Sequence, residues 1–371
     1  MQISGEASAA FVKANNGFSQ YSFNRGDGTF TWRWDIFADA SITDDITFLS
    51  NFRMLQDQIP HIDLFALRVS DIASTGINLQ FGEVDIPFGN LGEDRFPKNN
   101  PFLALPFVNE HYTALCKSDY NLWTFSPEYS MDGDGVRILD QGLYDLGIKV
   151  YGNVGIVEYG FALINGMASA TGTYSPNGLN SNHGFGKIGR LAITPFDGLK
   201  IGASYGYGPF MREISDTNSQ LYNKHPDDYT QHISEGDLRF DYDYFSFSGD
   251  IVYNRWLYVQ NLELTALSYS GMIKYTFSPR IFGALRASTI KFNKISIREY
   301  IPETGEGYYG PIGFVLYRGK WDHDAVRIEG SAGYRIEKNL LLKIHYQINK
   351  TYDLPSDPVD NVMAIQTVIS F

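Results

Sequence analysis

Between Phe30 and Ile42 apolar and polar positions alternate along the chain. Phe30, Trp32, Trp34, Ile36, Ala38, Ala40 and Ile42 form one set; Thr31, Arg33, Asp35, Phe37, Asp39 and Ser41 form the other. A period of two sends these sets to opposite faces of a strand, whereas a helix would mix them on one surface. The pattern recurs. Leu199, Ile201, Ala203, Tyr205 and Tyr207 oppose Lys200, Gly202, Ser204 and Gly206. Phe245, Phe247, Ile251 and Tyr253 oppose Ser246, Ser248, Asp250 and Asn254. Leu340, Leu342, Ile344, Tyr346 and Ile348 oppose Lys343, His345, Gln347 and Asn349. About 16 such segments fit the chain, each about 9–12 residues long, the span of a tilted membrane strand. They begin near Gln2, Phe30, Ile46, Ile62, Ile77, Leu143, Ile156, Lys187, Leu199, Ile233, Phe245, Leu262, Arg280, Ala325, Leu340 and Asn361. Tyr112 to Phe125 is an alternative source for the sixth.

The links between segments alternate as well. After even segments they are tight: Thr43-Asp44-Asp45, Ala73-Ser74-Thr75-Gly76, Asn153-Val154-Gly155, Phe196-Asp197-Gly198, Tyr242-Asp243-Tyr244, Ser278-Pro279-Arg280 and Glu337-Lys338-Asn339. Gly and Asn tolerate positive φ, Asp bonds its own backbone and Pro presets φ, so these are turn sequences with a mechanism. After odd segments the links are mostly long, as in Asn15 to Gly28, Gly208 to Tyr229 and Lys294 to Trp321. Short turns on one rim and long loops on the other are the asymmetry of outer-membrane barrels. The chain therefore reads as all-β, a closed antiparallel transmembrane β-barrel forming one domain over residues 1–371. Its expected place is the bacterial outer membrane, with outer-membrane lipid against its outer face.

Composition supports that reading over a soluble sheet protein. Tyr, Phe and Trp make up 15% of 371 residues, yet no stretch approaches the roughly 18–20 consecutive apolar residues of a membrane helix. A barrel with one face in lipid and one in a wet lumen reconciles many aromatics with low mean hydropathy. Cys116 is the sole cysteine, so no disulfide framework or thiolate metal cluster is expected. A formal net charge of −12 argues against nucleic acid as a partner. Met1-Gln2-Ile3 enters the first strand pattern at once, so the chain is read as a mature form. Near its end Met363, Ile365, Thr367, Ile369 and Phe371 share one face. This is similar to the terminal-Phe signature of outer-membrane proteins.

One link is far longer than a turn requires: Asp85 to Gln141, the third long loop. Long links in compact folds are usually functional. Leading into it, Leu79-Gln80-Phe81-Gly82-Glu83-Val84-Asp85-Ile86-Pro87-Phe88-Gly89 resembles the strand-then-Pro-Phe-Gly run of the phosphate-selective porin O/P-like family. That resemblance implies an outer-membrane porin, a passive diffusion channel for small hydrophilic solutes or ions. Its third loop would fold into the lumen as a constriction, here residues 85–141. A homotrimer is the usual assembly of such porins, an implication of the resemblance and not of these residues. In that family phosphate selectivity comes from clustered Arg and Lys in the constriction. Here Asp85, Glu93, Asp94, Glu110, Asp119, Glu128, Asp132, Asp134 and Asp140 outnumber Arg95, Lys98, Lys117 and Arg137, so phosphate selectivity is not carried over.

The expected inner wall is more basic. Arg33, Arg53, Arg68, Lys149, Arg190, Lys200, Arg239, Lys274, Arg286, Arg327, Arg335 and Lys343 face inward, against Glu6, Asp35, Asp39, Asp145, Glu158, Asp237, Asp241, Asp250 and Glu329. Clusters of charge bias ion passage through wide pores. The candidate constriction is therefore Glu93, Asp94, Arg95, Lys98 and Glu110 of the loop facing Arg33, Arg53 and Arg68 of the wall. The alternative is that these arginines only anchor the loop. The acidic total favours cations and the basic wall opposes them, which leaves the sign of selectivity open. A barrel serving as scaffold or sheath for a partner protein, with a plugged lumen, is the competing function.

Other constellations are weaker. Asp132-Gly133-Asp134-Gly135 lacks the glycine spacing of a calcium loop. Asp322-His323-Asp324 fits a solvated rim better than a cation site. No His stands with a recognisable nucleophile, so no enzyme activity, metal or cofactor is expected. Trp256 and Tyr275 are expected in an interfacial aromatic girdle. Phe102, Phe107 and Tyr112 could form an aromatic slide for sugars.

Overall fold

The computed structural model describes residues 1–15, 28–56, 60–115, 136–140, 143–169, 184–211, 228–258, 262–300, 314–352 and 359–371. The strands are β1 (Gln2–Ala14), β2 (Thr29–Ser41), β3 (Ile46–Leu55), β4 (His61–Val69), β5 (Ile77–Asp85), β6 (Tyr144–Val154), β7 (Val157–Ile164), β8 (Gly186–Phe196) and β9 (Leu199–Pro209). They continue as β10 (Thr230–Tyr242), β11 (Phe245–Tyr258), β12 (Leu262–Ser278), β13 (Ile281–Phe292), β14 (Lys294–Tyr300), β15 (Phe314–Lys320), β16 (Ala325–Glu337), β17 (Leu340–Thr351) and β18 (Val359–Ser370).

Sixteen of these strands close into one antiparallel barrel, with β1 hydrogen-bonded to both β2 and β18. Closure leaves no open strand edge in lipid, where an unpaired backbone group would cost several kcal/mol. Each barrel strand starts within a few residues of its expected position. The sixth is Tyr144–Val154; Tyr112 makes only an isolated bridge to Arg137. The segment expected as a plain loop from Lys294 to Trp321 instead carries β14 and β15, paired with each other outside the barrel. β13 therefore pairs directly with β16. The same alternation that builds the wall runs on through Lys294, Ile295 and Ser296, so that loop begins as a strand.

Outward positions are apolar and exposed: Trp34, Phe65, Ile148, Leu191, Ile251, Leu285, Ile344 and Ile365 are examples from around the circumference. A continuous apolar exterior of this extent suits lipid and not water. Phe196, Tyr242, Tyr244, Tyr275 and Phe277 stand exposed at the short-turn rim, an aromatic girdle. Tyr275 thus sits where expected. Trp256 does not: it is wholly buried inside the barrel with Val252 and Asn254, on the inward parity of β11.

Gly82 is required by geometry. Its φ is +117°, and a Cβ there would lie 2.3 Å from the Phe65 carbonyl oxygen. Such backbone costs a side-chain-bearing residue about 1–3 kcal/mol. Gly82→Val is expected to lower the yield of folded barrel. The readout is the mobility difference between unheated and heated samples on a denaturing gel, with a fall in the urea midpoint.

The lumen is not uniformly polar. At the long-loop ends of β7 to β13, Ile164, Ile188, Ile233, Val252, Trp256, Leu264, Ala266, Ile290 and Phe292 point inward and are buried. They pack with Ile86, Phe88, Phe107, Val108, Leu115, Ile138 and Leu139 of the third loop and with Leu143 just before β6. Trp256 meets Trp321 edge-on at 5.6 Å between ring centroids, and Phe292 meets Trp321 at 4.9 Å. Each large apolar side chain buried in this way contributes about 1.5–3 kcal/mol. The third loop is therefore held against one side of the wall by an apolar core inside the barrel.

Candidate functional site

The third loop leaves β5 at Asp85 and crosses the lumen in short, irregular steps. Gly89 donates its N–H to Ser204 Oγ of β9 at 3.0 Å. With φ +66°, Gly89 also lies so close to the Glu235 carboxylate of β10 that a Cβ would stand 2.5 Å from an oxygen. A single helical turn follows at Gly92–Arg95, and another at Phe107–Glu110. Lys98 N donates to Glu6 Oε2 of β1 at 3.1 Å, and Leu103 packs on Ala10, Val12, Val362 and Ala364 of β1 and β18.

Three cations from neighbouring wall strands fasten the loop. Lys343 of β17 donates to the carbonyls of Pro97 and Asn100, both at 2.9 Å, and of Phe102 at 3.3 Å. Arg286 of β13 donates to the Ala104 and Leu105 carbonyls at 2.8 and 2.9 Å, and pairs with Glu329. Arg327 of β16 reaches Glu110 Oε2 at 2.6 Å and Asn349 Oδ1 at 2.9 Å. Charge-assisted bonds of this kind are the strong ones, and here they are shielded from solvent. Arg286 and Arg327 also lie over the Phe102 and Phe107 rings at 4.3 and 4.5 Å. Both rings are fully buried, so they form no aromatic slide. Tyr112 is likewise engaged, its hydroxyl hydrogen-bonded by Arg137. Asp322, expected on a solvated rim, is buried and accepts the Ala114 N–H at 2.9 Å.

Among the described residues, clefts bordered by charged side chains lie between the loop and the wall, three of them as follows. The first, about 120 Å³, is bounded by Arg33, Arg53 and Arg95 with Asp63. The second, about 330 Å³, has Arg95, Lys149, Arg190 and Lys200 against Asp85 and Glu158. The third, about 70 Å³, has Asp94, Glu235, Asp237 and Asp250 against Arg286. Basic space thus lies toward β1–β9 and acidic space toward β10–β12. Arg95 borders both basic clefts, its guanidinium 4.3 Å from the centre of the Tyr144 ring. Several charges are paired across the walls: Lys149 with Asp85 at 2.6 Å, Lys200 with Glu158 at 2.6 Å, and Arg190 with Asp237 at 2.9 Å.

The expected constriction residues distribute unevenly. Arg33, Arg53 and Arg95 converge on the first cleft. Arg33 pairs with Asp35 at 2.6 Å and donates to the Arg95 carbonyl at 3.2 Å; Arg53 pairs with Asp63 at 3.0 Å. Arg68 stands opposite Thr47 near the short-turn rim, apart from that group. Asp94 pairs with Arg239 of β10 at 3.2 Å, and Glu110 with Arg327, so neither faces Arg33 or Arg53. Lys98 is exposed. Glu93 falls within the Gly92–Arg95 turn, and its side chain lies outside the described residues, as do Cys116, Lys117, Asp119, Glu128, Asp132 and Asp134. Arg286, Arg327 and Lys343 were legible as inward cations, but nothing in the sequence joined them to the loop. The apolar core left a trace: Phe161-Ala162-Leu163-Ile164 and Trp256-Leu257-Tyr258 are apolar on both faces, which a wet lumen does not require. Among the described residues no group of three or more His, Cys, Asp or Glu could hold a metal ion.

No family model and no curated protein matches this chain. Solved structures do. An anion-selective porin from Comamonas acidovorans superposes with a TM-score of 0.61 at 10% identity, over 100% of this chain and 99% of that one. The chain has the porin fold. OmpF of Salmonella typhi, in complex with daunomycin, gives 0.59 at 13% identity over 100% and 97%. OmpT, an outer-membrane protein of Vibrio cholerae, gives 0.57 at 10% identity over the same shares. At such identities the likeness to porins concerns the path of the backbone, and the solute is a matter for the clefts themselves.

Proposed function

We propose that this protein is an outer-membrane porin that passes small hydrophilic solutes or ions, with its path along the basic clefts beside β1–β9. The observation that carries the reading is the division of the lumen. An apolar core closes one side, and clefts bordered by charged side chains, which share Arg95, persist on the other. In this reading Arg33, Arg53 and Arg95 line the smaller of the two basic clefts, with Asp94 and Glu110 serving to tie the loop to the opposite wall. The cations bordering the clefts outnumber the carboxylates, which favours anions despite the net charge of −12. Kinship with the phosphate-selective porin O/P-like family rests on the run from Leu79 to Gly89, and a homotrimer on the same analogy.

The test is single-channel recording of the purified protein in a planar bilayer under a salt gradient. Steady conductance with a reversal potential favouring anions is the expected result. Steady conductance favouring cations would overturn the assigned path. A folded but silent barrel would support the second reading, a scaffold with a plugged lumen, which the apolar core also favours.

A further inference from the structure

The third cleft carries more negative charge than its cations balance. Three of its carboxylates stand on the inward faces of β10 and β11. Asp237 lies directly opposite Asp250, and Glu235, opposite Val252, is the diagonal neighbour of Asp250. Like charges set across a strand pair repel. Arg190 answers one of the three: its guanidinium donates to both oxygens of Asp237. Arg286 is committed to Glu329 and to the Ala104 and Leu105 carbonyls, and the cleft's fourth carboxylate, Asp94, is held by Arg239. Glu235 and Asp250 have no salt-bridge partner among the described residues. Each keeps a buried carboxylate oxygen, Oε2 of Glu235 and Oδ2 of Asp250, without a hydrogen bond.

Glu235 is also held out of water. It is 7% exposed, and the Gly89 backbone of the loop lies against its carboxylate. An ionised carboxylate in such a place is costly unless it is paired. Diagonal neighbours on a strand pair are about 7 Å apart, a span that two carboxylates close around one ion. The cleft measures about 70 Å³. At about 10–15 Å³ for each water-sized occupant, it takes an ion and a few waters. The rest of the lining suits a hard ion, because Ser248, Ser270 and Asn90 add neutral oxygens. A monovalent ion would leave one of the two charges unanswered. Magnesium demands a near-ideal octahedron, whereas calcium accepts the irregular set that two fixed strands and a loop present.

We propose that Glu235 and Asp250, with Ser248, Ser270 and Asn90, bind one calcium ion between the third loop and β10–β12. Two carboxylates and neutral oxygens make the site, in place of three acidic ligands. The ion ties the start of the loop to a different stretch of wall from that held by Lys343 and Arg327.

The test uses the full-length protein refolded in neutral detergent without lipopolysaccharide, whose phosphates bind calcium, and then stripped with EDTA. Calcium, magnesium and sodium are separate probes. Equilibrium dialysis with radiolabelled calcium in about 0.1 M sodium chloride is expected to show one tightly held ion per chain. Magnesium should compete about tenfold less well or worse. Calcium should also raise the thermal midpoint. Glu235→Gln combined with Asp250→Asn should weaken retention by about tenfold or more and abolish that thermal response. Its folded gel band should persist, since the neutral pair removes the repulsion. Asp44→Asn with Asp45→Asn, at an exposed turn, should retain the ion. Failure of the parent to hold calcium would overturn the site, whatever the variants do. So would equal retention by the Glu235 and Asp250 variant, loss of calcium from the turn variant, or full displacement by sodium. Binding is read without conduction, so a silent barrel that holds calcium would reject the channel and leave this site standing.

Discussion

Replacing Lys343 and Arg327 by Met is expected to convert a narrow, steady channel into a wider and noisier one. Lys343 satisfies three loop carbonyls at once, and Arg327 neutralises Glu110 at a position with no exposed surface. Removing one partner of a buried pair costs about 3–5 kcal/mol, because the survivor is left uncompensated. The loop has a cheaper option. It can leave the wall near Pro97–Glu110 and rehydrate, while the barrel hydrogen bonds stay intact. The penalty then appears as loop release and not as unfolding. Single-channel traces should show severalfold larger mean current and greater open-channel noise, and the folded gel band should persist. Protease sensitivity between Pro97 and Glu110 should rise in parallel. Arg327→Met combined with Glu110→Leu should recover part of the steadiness, since neither charge is then stranded. Unchanged conductance in the double Met variant would show that the apolar core alone fixes the loop.

The second large effect is electrostatic. Neutralising Arg33, Arg53 and Arg95 together to Gln should move the reversal potential toward cations, leaving Asp63 as the charge in that cleft. Screening sets the size of the change. The Debye length is about 10 Å at 0.1 M salt and about 3 Å at 1 M, so the shift should be large in dilute salt and shrink in concentrated salt. Arg95→Gln should contribute most, because Arg95 borders both basic clefts. Arg68→Gln is the control; it stands near the short-turn rim opposite Thr47 and should leave selectivity unchanged. Selectivity unaffected by the triple change would reject the lining role and leave these arginines as structural partners of Asp35 and Asp63.

These two experiments separate the functions that sequence reasoning had left together, lining and anchoring. Arg286, Arg327 and Lys343 anchor, while Arg33, Arg53 and Arg95 border open space. Arg33 does some of each, since it also holds the Arg95 carbonyl.

The wall of this protein was determined by its sequence alone. A period of two is a local property, and the turns after even strands each carry their own Gly, Asn, Asp or Pro. Strand starts, the outward face of β2 and the pairing of alternate rims therefore needed no knowledge of distant contacts. What lies inside the barrel was decided only by the tertiary structure. Glu110 and Arg327 are 217 residues apart in sequence, and Arg286 reaches Ala104 across 182. No local pattern pairs them, and any of a dozen inward cations could have taken that carboxylate. Trp256 shows the same limit. It was expected in the outward girdle, but its parity is inward, and it is buried there in one apolar cluster with Val108, Ile138 and Leu139 of the loop. Alternation fixes which way a side chain points; the burial of apolar surface between loop and wall fixes what it meets there.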